Sequence, residues 1–279
     1  MTPAPALRSE CSVPIGAVPP AWSGINLVST PSWTSIQVAR PYPYDHAVPV
    51  EDLTDPRARA GATKRSRTRA ALLRAATELF ETRGWAGTRM EDIATAAEVS
   101  SATAYNHFPT KHAMAGAAYE PVLGPVALRV EQARTEHPPA VELLRLAIAG
   151  TAEAARARTS LTVAFVSAVQ EAAALRGGGP LDPKDRNDPR SYVPLPGIVA
   201  GVISDAQCAG DLRRFPPGEE IGATMINLLL LRVMNRRQES AAVTAEIVLT
   251  FLLGALRPEL LVESGPEGRP FAPGRLSPS

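Results

Sequence analysis

The 279-residue chain has only two cysteines, Cys11 and Cys208, far apart in sequence. Two such residues make neither a disulfide framework nor a zinc site, so a reducing compartment is the default. No apolar run is long enough to cross a bilayer. The best, residues 221–234, is broken by Thr224, Asn227 and Arg232. The N-terminus lacks the basic region and unbroken apolar stretch of a secretory signal. Together these absences predict a soluble, cytoplasmic protein. Signatures of catalysis are missing as well: Gly-x-Ser-x-Gly, His-Glu-x-x-His and Gly-x-Gly-x-x-Gly do not occur. Gly177-Gly178-Gly179-Pro180 has neither a Lys-Ser/Thr ending nor a preceding strand, so it reads as loop. His107 and His112 lack a third ligand nearby, which argues against a metal site. The expectation is a protein that is not an enzyme and uses neither cofactor nor metal.

Charge is balanced overall, with 29 Lys and Arg against 28 Asp and Glu. Its distribution is uneven. Residues 1–56 carry a net −3, residues 57–111 a net +5 and the remainder a net −1. Concentrated positive charge points to an anionic partner meeting this one block. Residues 1–56 also hold ten of the 27 prolines and no periodic pattern. Such a segment buries too little apolar surface to offset its ordering entropy and is expected to be disordered. It contains Trp22 and Trp33, unusual for a linker, and one expectation is that translation begins later, at Val48 or Val50. Residues 258–279, with five prolines, read as a second disordered tail.

Between these ends, residues 57–257 read as helices throughout, and the class is all-α. Leu72, Leu73, Ala76, Leu79 and Phe80 share one helical face, and Gly84 is placed to end that helix. Thr88 with Glu91 three residues on has the spacing of a capping box for a helix near 89–96. Ser100 caps a third helix, 101–107, closed by Pro109. A fourth runs from about Lys111 to about Pro121. Further helices fall at 141–158, 161–175, near 198–206, 219–235 and 240–256. Residues 176–196, with three glycines and five prolines, read as a long loop.

The two short helices joined by Ala97-Glu98-Val99 have the proportions of a helix-turn-helix, in which the first helix braces the second in the major groove. Ile93, Ala94, Ala97, Val99 and Ala104 are the candidate packing between them. Ser101, Ala102, Thr103, Tyr105, Asn106 and His107 form the candidate groove-facing set. Hydroxyls suit phosphates, an amide suits adenine and methyls suit thymine. Arg57, Arg59, Lys64, Arg65, Arg67 and Arg69, with no acid among them, form a basic arm ahead of the first helix.

Residues 69–111 read R-x-x-L-L-x-A-A-x-x-L-F-x-x-x-G, then T-R-M-E-D-I-A-x-A-A-x-V-S-x-x-T-x-Y-N-H-F-x-x-K. This stretch resembles the DNA-binding domain of the TetR family of transcriptional regulators. The resemblance implies a DNA-binding domain at 57–111 and a helical effector-binding and dimerisation domain at 112–257. It also implies that Thr88, Ser100, Thr103, Tyr105, His107 and Lys111 contact DNA, mostly phosphates. Arg89 joins this set, while Ser101, Ala102 and Asn106 lie nearest the base edges. Glu98 departs from the pattern, standing at a turn position where the family usually has Gly because the turn wants a positive φ.

Helices 219–235 and 240–256 are apolar almost all round, which means burial on every side. Internal core satisfies that requirement, and so does a two-fold interface in a homodimer; the resemblance favours the dimer. Phe165, Val166, Val169, Ile198, Val202 and Met225 are candidates both for ordinary core and for lining an effector cavity. The expected function is a ligand-responsive regulator, a repressor by the family's habit, bound to a palindromic operator and released by a small molecule. A helix-turn-helix protein without an effector, and an all-α enzyme or scaffold, are the alternatives.

Overall fold

The computed structural model describes residues 56–176, 181–182 and 184–256. The chain divides into two units, residues 1–47 and 48–279. The first unit, the rest of the Pro-rich extension before Pro56, the expected start at Val48 or Val50 and the C-terminal tail lie outside the described residues.

Nine α-helices and no strand occur among the described residues. The first, α1 (Pro56–Arg83), opens on proline, whose fixed φ suits a first turn, and stops at Gly84 with φ +69°. The basic arm is therefore not ahead of the helix: residues 57–69 are its first turns. Two short helices follow, α2 (Met90–Ala96) and α3 (Ser101–His107). Leu72, Ala76 and Phe80 of α1, Ile93 of α2, and Ala104 and Phe108 of the α3 region are almost wholly buried in one apolar cluster.

Helix α4 (Lys111–Arg134) corrects the expected stop near Pro121, since it continues through Pro121 and Pro125. Each proline deletes one backbone bond to the residue four earlier. Both prolines lie on the exposed side, while Val122, Leu123, Val126, Ala127 and Val130 are buried on the other. Burial of that face offsets the lost bonds, so α4 reaches the middle of the C-terminal helices.

There α5 (Ala140–Ala157), α6 (Thr159–Arg176), α7 (Leu195–Ala209), α8 (Gly218–Asn235) and α9 (Ala241–Leu256) pack together, α7 against α8 and α5 against α9 most extensively. Arg156 of α5 ties the last pair. It donates to the carbonyl of Arg236 at 2.7 Å, just past α8, and to Thr244 Oγ1 on α9 at 3.0 Å.

The expected long loop is only partly loop. Between α6 and α7 in sequence the chain forms a 3-10 turn, Pro189–Tyr192, flanked by the buried Asp188 and Val193. It seats on α4 at Gly116, where a Cβ would come within 2.5 Å of the Pro189 carbonyl oxygen and 2.8 Å of Tyr192 Cδ2. Asp188 anchors it through Arg190 at 2.7 Å and faces Arg176 of α6 at 3.8 Å.

Candidate nucleic-acid interface

The chain entering α2 is capped one residue later than the sequence spacing suggests. Asp92, not Glu91, closes the turn by accepting the Arg89 N–H at 3.0 Å. Thr88 is fully buried, and its hydroxyl donates to the carbonyls of Gly84 at 2.8 Å and Leu79 at 3.2 Å. The expected phosphate contact of the Thr88 side chain is therefore replaced by a structural role beneath the interface.

The exit from α2 fixes the angle of α3. Val99 N–H donates to the Ala94 carbonyl at 3.0 Å and Glu98 N–H to that of Thr95 at 3.1 Å. This crossed pair is the Schellman arrangement, which puts the intervening residue in the left-handed region. That residue is Glu98, with φ +56°. Ser100 then begins α3, its hydroxyl oxygen accepting the Thr103 N–H at 3.2 Å and lying 2.9 Å from Thr103 Oγ1.

On α3 the inward positions are Ala104 and, at its end, Phe108, both at 0% exposure. Ala102, Tyr105 and Asn106 form the opposite, exposed face, spaced i, i+3, i+4, with Ser101, Thr103 and His107 half-buried at its margins. Tyr105 donates from its hydroxyl to Glu91 Oε1 at 3.2 Å, which orients the ring along α2. Burial and the Glu91 carboxylate raise its phenol pKa. The exposed Lys64, Arg65 and Arg67 stand on the leading turns of α1, and Arg89 is exposed at the start of α2. Arg69 is half-buried, its guanidinium 4.3 Å above the Phe108 ring. Burial, then the charges of Arg65 and Arg69, lower the His107 pKa, so the basic side of α1 lies beside the end of α3.

Lys111 does not point outward as expected. Its ammonium donates to the carbonyls of Trp85 at 3.0 Å and Thr88 at 3.1 Å, and lies 3.8 Å above the Trp85 ring. Burial lowers its pKa. It thus clamps the turn between α1 and α2. Trp85 belongs to the same cluster with His112 and Glu171, none of which the sequence reading singled out for this. Their partners lie up to 86 positions away, beyond the reach of any local spacing rule.

The six candidate effector contacts are not brought together around a described cavity, Val166 and Ile198 being buried in the core. Phe165 is buried and stacked on Tyr119 with ring centroids 4.4 Å apart, and Val202 is buried in the same core. Met225 is half-buried against that core. Val169 alone lines a described cavity, of about 120 Å3, with Ala172, Arg176 and Asp188 among its neighbours. A larger groove of about 370 Å3 lies between α1 and α4, walled by Leu73, Thr77, Ala117, Ala118 and Pro121 and rimmed by Arg74, Glu78 and Glu81. Among the described residues no group of three or more His, Cys, Asp or Glu is arranged to hold a metal. No helix among them is long and apolar enough to cross a membrane.

Residues 72–118 match the family described as bacterial regulatory proteins, tetR family. Among curated proteins no sequence matches the chain. Among solved structures, the chain is similar to Thermus thermophilus FadR, described as a TetR-family transcriptional repressor in complex with lauroyl-CoA. The two are 26% identical with a TM-score of 0.57, over 74% of this chain and 100% of that one. FadR from Bacillus subtilis, in complex with stearoyl-CoA, shares the fold at 17% identity and a TM-score of 0.51, over 67% of this chain and 98% of that one. The fatty acid degradation regulator FadR from Bacillus halodurans does so at 15% and 0.50, over 67% and 94%.

Proposed function

We infer that this chain, a member of the TetR family of transcriptional regulators, is a homodimeric repressor that a small molecule releases from a palindromic operator. The observation that carries the reading is the exposed face of α3, with Ala102, Tyr105 and Asn106 outward beside the basic turns of α1. Asn106 is placed to read a base edge, Ala102 to meet a thymine methyl, and Ser100, Ser101, Thr103, Tyr105, His107 and Arg89 to hold the backbone. Residues 57–111 act as the DNA-binding domain and 112–257 as the effector and dimerisation domain.

Dimerisation through α8 and α9 is supported by apolar side chains that this chain alone leaves uncovered. Leu228 is 39% exposed, Val243 48% and Phe251 63%. A second copy turned by a two-fold axis covers the patch and sets two α3 helices one DNA turn apart, so specificity is read twice.

The effector class proposed first is an acyl-CoA, because the Thermus relative binds lauroyl-CoA. Displacement of Phe165 and Val202 by an acyl chain opens room in the C-terminal helices. Release then follows from differential affinity: the ligand binds the DNA-incompetent arrangement more tightly than the competent one. Titrating lauroyl-CoA into the protein bound to labelled DNA from upstream of its own gene tests this. Dissociation of the DNA supports the reading, and unchanged binding at saturating ligand refutes the acyl-CoA assignment. The filled core around the Phe165–Tyr119 stack favours a second reading, a DNA-binding protein with no effector.

A further inference from the structure

Glu171 lies on α6 and lines neither described cavity. Its Oε2 accepts the indole N–H of Trp85 at 2.6 Å, and its Oε1 stands 3.4 Å from His112 Nε2. A hydrogen bond to a carboxylate is stronger and shorter than one between neutral groups. The indole, then the nearby His112 and Lys111 charges, hold the Glu171 carboxyl below its ordinary pKa against the opposing effect of burial.

Trp85 is the wedge of the turn between α1 and α2. It is 8% exposed, stacked on Phe80 at 5.8 Å and tilted against His112 at 5.1 Å. Its carbonyl and that of Thr88 hold the Lys111 ammonium, so the turn 84–88 is tied to the start of α4 at two points. That turn leads into Arg89, the residue that caps the start of α2. A continuous set of contacts therefore runs from α6 through Trp85 to the helix-turn-helix.

The other part of α6 is locked in the core. Phe165 stacks on Tyr119, and the Tyr119 hydroxyl lies 3.0 Å from Thr162 Oγ1. Six residues separate Phe165 from Glu171, about 9 Å along a helix axis. A helix of 18 residues is stiff on that scale, so a shift imposed at Phe165 or Val169 reaches Glu171 as a shift of the whole rod. Coupling between two sites needs a shared element that both bias. Helix α6 is that element, with candidate effector contacts on one part and the Trp85 contact on the other.

We propose that Glu171 is the positioning residue through which α6 sets the orientation of the helix-turn-helix, by holding the Trp85 indole. The inference rests on the regulatory reading above and names the residue that transmits its signal. It is tested on the full chain by hydrogen exchange with mass spectrometry, which needs neither DNA nor effector.

Glu171→Ala is expected to speed exchange of the amides in residues 85–107 by about tenfold, the loss of one charge-assisted hydrogen bond, while α5 and α9 exchange as before. Glu171→Gln keeps an acceptor for the indole and restores most of the protection. Trp85→Phe keeps an aromatic ring, smaller than the indole, and removes the donor, and reproduces the loss of protection seen in Glu171→Ala. Unchanged exchange in Glu171→Ala overturns the proposal. So does faster exchange spread over every helix, which marks general destabilisation.

On a DNA fragment that the wild type prefers, Glu171→Ala binds about tenfold more weakly with the same salt slope, since no phosphate contact is lost. Equal affinity overturns the positioning role. A wild type with no DNA preference refutes the regulatory reading instead, and the exchange experiment still decides whether Glu171 holds the turn.

Discussion

Replacing Glu98 by glycine is expected to stabilise the protein, and the magnitude follows from the turn. Glu98 sits at φ +56°, the crossed bonds Val99 to Ala94 and Glu98 to Thr95 leaving no other backbone solution. A side chain with a Cβ in the left-handed region costs roughly 1–2 kcal/mol. Glycine escapes that cost but loses more chain freedom on folding, roughly 0.5–1 kcal/mol relative to alanine. The net gain of Glu98→Gly over Glu98→Ala is therefore about 0.5–1 kcal/mol, or about 1–4 °C in Tm for a protein of this size. Glu98→Ala is the necessary reference, because it removes the same exposed charge and keeps the strain. Denaturant titrations of the three proteins measure the differences. If Glu98→Gly is no more stable than Glu98→Ala, the strain assigned to this turn is absent and the reasoning fails.

Gly116→Ala drives a Cβ into the Pro189 backbone, and is expected to cost about 1–3 kcal/mol by overpacking; limited proteolysis between residues 177 and 193 should accelerate as the 3-10 turn is displaced. Asp188 gives the same segment a pH dependence. Burial alone would raise its pKa, but hydrogen bonds from Arg190 and the nearby guanidinium charges leave it lowered. A lowered folded-state pKa stabilises fully above the ordinary aspartate value, and the contribution is lost as pH falls through the folded one. Acid below pH about 4 should therefore expose residues 181–193 to pepsin in the wild type, with a weaker pH response in Asp188→Asn. Lys111→Gln strips the Trp85 and Thr88 carbonyls of a charged donor, with an expected cost of about 1–3 kcal/mol in stability. Its salt slope for DNA binding should stay near the wild-type value, whereas Arg65→Ala should reduce the slope by roughly one; the reverse pattern would return Lys111 to the phosphate-contacting set.

The helical class, the end of α1, and the placement of α2, α3 and α5 to α9 to within a few residues were legible because apolar periodicity and terminal signals agree there. The start of α1 at Pro56 was not, because residues 57–69 are basic and carry no apolar face. Gly84 and Gly210 both end helices with positive φ, and Ser100 caps α3 through its side chain. The reading failed where tertiary burial overrides a local signal. Pro121 and Pro125 mark a break by propensity, yet the buried face of α4 carries the helix past both. It also failed where a polar side chain has two plausible destinations. Thr88 and Lys111 carry groups that suit phosphate, but Thr88 finds the Gly84 carbonyl in its own turn and Lys111 finds the carbonyls of that same turn from the start of α4. Ala102 and Asn106 stand exposed on α3, on the face their i, i+4 spacing gives them. The Trp85–Glu171 contact joins the turn after α1 to a residue of α6 86 positions on, and no periodicity encodes it.

Helix α3 is expected to read DNA sequence. Fluorescence anisotropy of the full chain on DNA from upstream of its own gene, against scrambled DNA at two salt concentrations, tests it most directly. The expected result is salt-sensitive binding that prefers the native fragment by about a thousandfold or more. Weak and equal binding to both fragments, and to a pool of genomic fragments carried through selection, would contradict it.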